Sequence, residues 1–277
     1  MPFDLAARIV RHEALNPDHF LLTLECPSIA RASRPGQFVM LQVREGHDPL
    51  LRRPMSVFRV PPGRRRIQIL YKVVGPGTRY LSRQPPGAEL RTLGPLGNGF
   101  RLPRGAARAA VPPSRPVLVA GGIGIAIFPF LLEALPPRGP RPILLFGART
   151  ARDLVALDAF RRRGTLLRLA TEDGSRGARG FVTRLLEPLL EAPRGPAAAD
   201  GRPELYVCGP TPMMKAVGAL AVEAGVPCQL ALESQMPCGI GVCLGCVVRC
   251  RDEDPGGPPF RRVCTEGPVF EAARVLL

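Results

Sequence analysis

A chain of 277 residues, 45% hydrophobic and 22% charged, has the composition of a folded protein with room for two domains and an appendage. No apolar run reaches the roughly 18–20 residues needed to cross a bilayer, because the most apolar stretch, Val117 to Leu135, is broken by Gly121, Gly122, Gly124 and Pro129. The formal charge of +15 is almost all arginine, scattered and without interleaved aromatics, which argues against a nucleic-acid face.

The opening MPFDLAARIV lacks the basic-then-apolar layout of a signal peptide, so a cytoplasmic protein is expected. Residues 1–103 then read as short strands, Phe20 to Glu25, Gln37 to Val43 and Arg66 to Val73, punctuated by Pro-Gly pairs. Strands and turns without a long helical pattern predict an antiparallel barrel. Within it, Arg53-Pro54-Met55-Ser56 offers an Arg fork for a phosphate and a hydroxyl for a flavin edge. Leu70-Tyr71-Lys72 and Gly77-Thr78 add an aromatic face and an amide-rich turn.

A Pro- and Arg-rich passage, Pro103 to Pro116, predicts a linker. Across 114–229, short apolar strands at Val117 to Ala120, Ile143 to Phe146, Leu166 to Ala170 and Leu205 to Cys208 alternate with helical patterns such as Ala151 to Arg162 and Thr183 to Leu190. This alternation predicts a doubly wound parallel sheet. Gly121, Gly122 and Gly124 lie where the first strand meets a helix, the place for a dinucleotide pyrophosphate; a turn made tight for packing gives the same letters. Cys208-Gly209 ends a later strand at the carboxyl edge, where ligands bind in such sheets, although a buried Cys is also common. Glu172 and Asp173 end another, where carboxylates suit a ribose diol and repel a 2′-phosphate, favouring NAD over NADP; a solvated acidic turn is the alternative.

Residues 230–277 are too few to hold a core without a metal. They carry Cys238-x4-Cys243-x2-Cys246 and, after seventeen intervening residues, Cys264, the plant-type ferredoxin spacing for a [2Fe–2S] cluster. A structural zinc site is the competing reading, but it more often pairs two C-x2-C hooks. Cys250 is read as a small apolar filler, and Ile240, Val242 and Leu244 as either a partner patch or packing under the cluster.

Taken together, RPMS, ILYKVVGPGTRYLS, GPLGNGF, VLVAGGIGIA, FGART, TEDGS, YVCGP, CGIGVCLGC and RRVCTEGPVF resemble the electron-transfer subunits of dihydroorotate dehydrogenase B, in the ferredoxin reductase-like superfamily. The resemblance runs from about Ala6 to Phe270. It implies an FAD-binding barrel contacted through Arg53 to Ser56, Leu70 to Lys72, Gly77 and Thr78, an NAD-binding domain, and a [2Fe–2S] domain ligated by Cys238, Cys243, Cys246 and Cys264. It also implies an FMN-containing catalytic partner that oxidises dihydroorotate to orotate in pyrimidine biosynthesis, in a heterotetramer of two plus two. No catalytic acid or base is required of this chain. Related chemistry with another partner, a sulfide dehydrogenase or a bifurcating ferredoxin–NADP reductase, is the first alternative; a zinc-stabilised nucleotide-binding regulator is the second. One departure stands out. Where the family's glycine loop continues directly into proline, Ile127 and Phe128 precede Pro129 here, which moves the proline deeper into the helix, at a cost of about 3 kcal/mol unless it sits in the first turn.

Overall fold

The structure, a computed structural model, describes residues 1–46, 48–103, 114–191, 201–251 and 259–277. The linker expected from Pro103 to Pro116 lies mostly outside them. Among the described residues no helix is long and apolar enough to cross a membrane.

Six strands come first: β1 (Phe3–Ala14), β2 (His19–Glu25), β3 (Phe38–Gln42), β4 (Arg53–Ser56), β5 (Arg66–Lys72) and β6 (Glu89–Leu96). Two short helices, α1 (Pro27–Ala32) and α2 (Pro76–Leu81), interrupt them. The strands form one antiparallel sheet in the order β4-β3-β6-β1-β2-β5. Its edges nearly meet, because Phe58 N–H donates to Gln68 O and Gln68 N–H to Arg59 O, both at 2.8 Å. Strand alternation explains the apolar runs. Val39, Leu41, Leu22, Leu24, Ile67 and Ile69 fill the barrel, whereas Phe38, Met40 and Leu70 point outward and are buried against the rest of the molecule.

The second unit is β7 (Arg115–Gly121), α3 (Phe128–Ala134), β8 (Ile143–Ala148), α4 (Leu157–Arg161), β9 (Leu166–Thr171), β10 (Ala178–Arg179), α5 (Thr183–Glu191), β11 (Pro203–Cys208), α6 (Thr211–Glu223) and β12 (Cys228–Ala231). The tail adds a small hairpin, β13 (Val247–Arg249) with β14 (Phe260–Arg262), and then β15 (Val269–Glu271). The large sheet runs β10-β9-β8-β7-β11-β12-β15, parallel except for β15, which lies antiparallel on β12. Phe128, Leu131 and Phe160 of α3 and α4 pack one face, Leu186, Met214 and Val217 of α5 and α6 the other. This is the expected barrel, doubly wound sheet and small C-terminal unit. β12 straddles the expected boundary at 230.

One local expectation changes and another is decided. The helix predicted from Ala151 to Arg162 is a 3₁₀ turn, Ala151–Asp153, followed by the short α4, with Ala156 left-handed between them at φ 59°. Pro129 meets the exception and escapes the cost. A 3₁₀ turn, Gly122–Ile127, takes up the extra residues, so Pro129 falls in the first turn of α3, where its missing N–H is not needed.

Candidate functional site

A cleft of about 350 Å³ opens between the barrel and the large sheet. Its barrel wall holds Arg53, Pro54, Met55 and Ser56 of β4, Leu70, Tyr71 and Lys72 of β5, and Thr78 of α2. The facing wall includes Gly124 and Cys208. Residues chosen from separate motifs thus share one space. Pro54 is tolerated because β4 is an edge strand with no neighbour to serve beyond β3.

The barrel wall is stiff for identifiable reasons. Thr78 Oγ1 accepts from Val74 N–H at 2.9 Å and Gly75 N–H at 3.1 Å, closing the turn at the start of α2. Gly77 does not line the cleft but makes room for Arg53: a Cβ there would lie 2.8 Å from the guanidinium carbon. Tyr71 is buried, stacked on Phe20 at 5.6 Å, and its hydroxyl meets His12 Nε2 at 2.8 Å. Because His12 Nδ1 faces the Gln84 carbonyl at 2.8 Å, that nitrogen must donate, and in the neutral ring Nε2 accepts from Tyr71. Burial pushes the Tyr71 phenol up, keeping it the donor.

The glycine turn sits where strand order reverses, between β7 and β11. Gly124 is pressed onto the end of β11, since a Cβ would lie 2.6 Å from the Cys208 carbonyl carbon. Gly121 and Gly209 pack on Met213 beside it, and Gly122 faces open space. Cys208 is buried, and burial, then the Glu233 charge, holds its thiol well above the usual range, so it serves as a small neutral wall. Glu172 and Asp173 lie outside the cleft, exposed at the end of β9 on the same carboxyl edge. The Asp173 carboxylate accepts from Ser175 Oγ at 2.6 Å and Ser175 N–H at 3.0 Å, which lower its pKa.

Among the cleft residues that the sequence does not point to are Glu233, Met236 and Pro268. Glu233 is open to the cleft yet enclosed by its walls, and this burial raises its carboxyl. Met236 and Pro268 flank the thiol-bearing segment on both sides, so the cleft ends where that segment begins.

The four expected thiols meet as two pairs, Cys238 with Cys243 and Cys246 with Cys264. Among the described residues no three His, Cys, Asp or Glu side chains close around a single point. Two thiol pairs suit two irons, each held by two thiolates. Burial works against the Cys238 thiolate, but the Cys243, Ile240 and Val242 amides and the Cys243 thiol more than reverse it, to about 6. Further N–H groups reach sulfur, Gly245 to Cys243 and Cys264 to Cys246, each at 3.4 Å. This donor set fits an anionic iron–sulfur cluster. Cys250 is packed in the core near Val275. Cys243 is exposed, and Ile240, Val242 and Leu244 around it are 48%, 75% and 59% exposed. Leu244 is held left-handed at φ 57°, a conformation costing roughly 1–2 kcal/mol for a residue with a Cβ.

The family model for the iron–sulfur cluster binding domain of dihydroorotate dehydrogenase B matches residues 233–276, and that for the oxidoreductase NAD-binding domain matches 118–219. The dihydroorotate dehydrogenase B (NAD(+)) electron transfer subunit of Desulforamulus reducens is 36% identical over 98% of this chain and 97% of its own. Its counterpart in Shouchella clausii is 35% identical over 97% and 96%. A solved structure of an NADH-dependent reduced ferredoxin-NADP oxidoreductase, described for flavin-based electron bifurcation, matches with a TM-score of 0.80 at 29% identity, over 97% of this chain and 89% of that one. A ferredoxin reductase in carbazole 1,9a-dioxygenase shares the fold, with a TM-score of 0.65 at 23% identity over 82% and 67%. With thiol pairs, cleft and sheet arranged as above, and relatives this similar along nearly the whole length, the chain belongs to the family of dihydroorotate dehydrogenase B (NAD(+)) electron transfer subunits.

Proposed function

We propose that this chain carries electrons between NAD(H) and the FMN of a dihydroorotate-oxidising catalytic subunit, by way of FAD and a [2Fe–2S] cluster, in pyrimidine biosynthesis. One observation carries this reading: the cleft and the thiol loop share the residues Met236 and Pro268, while the far side of the loop reaches the surface at Cys243. Bound FAD supplies the exchange between two-electron hydride and single electrons, which nicotinamide and cluster require.

The chain's own groups position and tune. Arg53 grips the FAD phosphate, Ser56 hydrogen-bonds the ring edge, and Leu70, Tyr71, Lys72, Gly77 and Thr78 shape the rest of that wall, with Pro54 and Met55 between. Gly121, Gly122, Gly124, Cys208 and Gly209 receive the dinucleotide, and Glu172 and Asp173 select against a 2′-phosphate. Cys238, Cys243, Cys246 and Cys264 ligate the cluster. We assign residues 1–103 to FAD, 114–229 to NAD and 230–277 to the cluster. The assembly has two copies of each subunit, in the cytoplasm. The exposed Ile240, Val242 and Leu244 are the rim on which the catalytic subunit sits. A partner of the ferredoxin–NADP oxidoreductase kind is the second reading, favoured by the match at TM-score 0.80.

The test uses the purified chain with FAD and cluster in place. It should pass electrons from NADH to artificial acceptors, yet turn over no dihydroorotate until the catalytic subunit is added. Leu244→Glu should weaken that complex and leave the visible spectrum unchanged. Dihydroorotate oxidation by the single chain would overturn the assignment.

A further inference from the structure

The 3₁₀ turn Ala151–Asp153 is gripped from two sides. From the barrel, Lys72 Nζ meets Asp153 Oδ1 at 2.7 Å, Asn16 Nδ2 donates to Arg152 O at 2.9 Å, and Arg152 Nη2 meets Asp18 Oδ2 at 3.2 Å. From its own sheet, Ala151 N–H donates to Ser175 Oγ at 2.8 Å, and that hydroxyl donates to Asp173 at 2.6 Å. Three residues therefore connect Lys72 on the cleft wall to the acidic turn at the end of β9. They lie where the sequence predicts an unbroken helix.

These contacts are unequal. The Arg152–Asp18 pair is half exposed on both partners, and such pairs contribute little. Lys72 and Asp153 are 32% and 17% exposed, so their charges are less screened. Asp153 also accepts from Thr150 Oγ1 at 3.3 Å, which leaves neither carboxylate oxygen idle. Buried beside the pair, His19 bonds Asn16 through Nδ1 at 3.0 Å and braces the loop that carries Asn16 and Asp18. Asp153 does not line the cleft, so whatever it does there it does through Lys72 and the turn.

We propose that Asp153 is a positioning residue: its ion pair with Lys72 latches the large sheet onto the barrel and so sets the approach of nicotinamide to the flavin cleft. This rests on the function proposed above. Hydride transfer needs the reacting atoms about 3–3.5 Å apart, and a misplacement of about 1 Å costs on the order of a hundredfold. NADH affinity, in contrast, is assigned above to the dinucleotide turn and the acidic turn; the Lys72–Asp153 pair makes no direct contact with either and reaches the acidic turn only through Ala151 and Ser175. Loosening it should therefore lower the rate of hydride transfer more than the affinity.

The experiment compares Asp153→Asn and Asp153→Glu with the wild-type holoprotein. In stopped flow, Asp153→Asn should lower the limiting rate of flavin reduction by NADH about tenfold or more, with the NADH dissociation constant within about twofold. Asp153→Glu, which keeps the charge, should recover most of the rate. Amide hydrogen exchange, which needs no turnover, should speed up at 151–155 and 14–19 in Asp153→Asn only. Unchanged rate and exchange in Asp153→Asn would overturn the latch, as would an equal loss in Asp153→Glu or a loss confined to NADH affinity. A wild-type protein whose flavin NADH does not reduce would sink the functional reading instead, and the exchange result would still judge the latch.

Discussion

Gly77→Ala isolates what Arg53 does. The added Cβ would lie 2.8 Å from both Cζ and Nη2 of Arg53, so the guanidinium must leave its place over the turn. It is the far end of a flexible side chain and moves without disturbing the core. Gly77 has no positive φ and sits in the first turn of α2, where Ala is the better helix former by about 0.5–1 kcal/mol. Stability should therefore stay within about 1 kcal/mol of wild type. On the proposed grip of Arg53 on the FAD phosphate, the interaction lost is a charge-assisted hydrogen bond, about 1.5–3 kcal/mol. At about 1.4 kcal/mol per tenfold, FAD should bind roughly 10- to 150-fold more weakly. The assay is titration of flavin-stripped protein with FAD, followed by flavin fluorescence, alongside urea unfolding. Because both changes remove one contact, Gly77→Ala combined with Arg53→Ala should be no worse than Arg53→Ala alone. Wild-type affinity in Gly77→Ala, or losses that add in the double variant, would refute the reasoning.

Cys243→Ser should abolish the visible cluster absorption and lower bound iron, whereas Cys250→Ser should leave both; the reverse pattern would reassign the ligands. Replacing Glu172 and Asp173 by Gln and Asn should raise kcat/KM for NADPH relative to NADH by on the order of tenfold, since like-charge repulsion is removed; unchanged selectivity would place the ribose elsewhere. His19 is held below its ordinary pKa, first by burial and then by the Lys72 charge, so the unfolded chain takes up the proton before the folded one does. Stability should accordingly fall as the pH drops below about 6.5, and urea unfolding of His19→Gln should show a shallower loss over that range; parallel curves would contradict it.

Much of this architecture is legible in the sequence, for physical reasons that also explain the misses. Runs such as QFVMLQV advertise a strand because both of its faces are buried, Val39 and Leu41 inward and Phe38 and Met40 outward. β1 is missed because Arg8, Arg11 and Glu13 interrupt it, and only Ala7 and Ile9 are deeply buried. β4 is missed because Pro54 argues against a strand, a warning that an edge position cancels. Helical spacing from Ala151 to Arg162 is real but is overruled by contacts from the barrel, Lys72 and Asn16 above all. Thiol spacing is chemistry written locally, and so it can be read; the Arg53 and Ser56 pattern is local too, and the structure places both on the cleft wall. Glu233, Met236 and Pro268 become a site only by long-range pairing, for which no local pattern exists.

That pairing explains why one chain suffices to line up three cofactors. β15 returns antiparallel onto β12, Leu230 opposite Phe270 and Ala231 opposite Val269. Leu232 N–H then donates to Pro268 O at 2.8 Å, clamping the two ends of the thiol segment together. With both ends held at the carboxyl edge of the sheet, beside the point where strand order reverses, the segment between them must loop away from the cleft. Cys246 and Cys264 stay buried near the clamp, and Cys243 lies at the outer end. A tail that continued as one more parallel strand would have carried the thiols to the opposite edge, far from the cleft. The antiparallel return is therefore the feature of the fold that turns a nucleotide-binding sheet into an electron conduit with an exit.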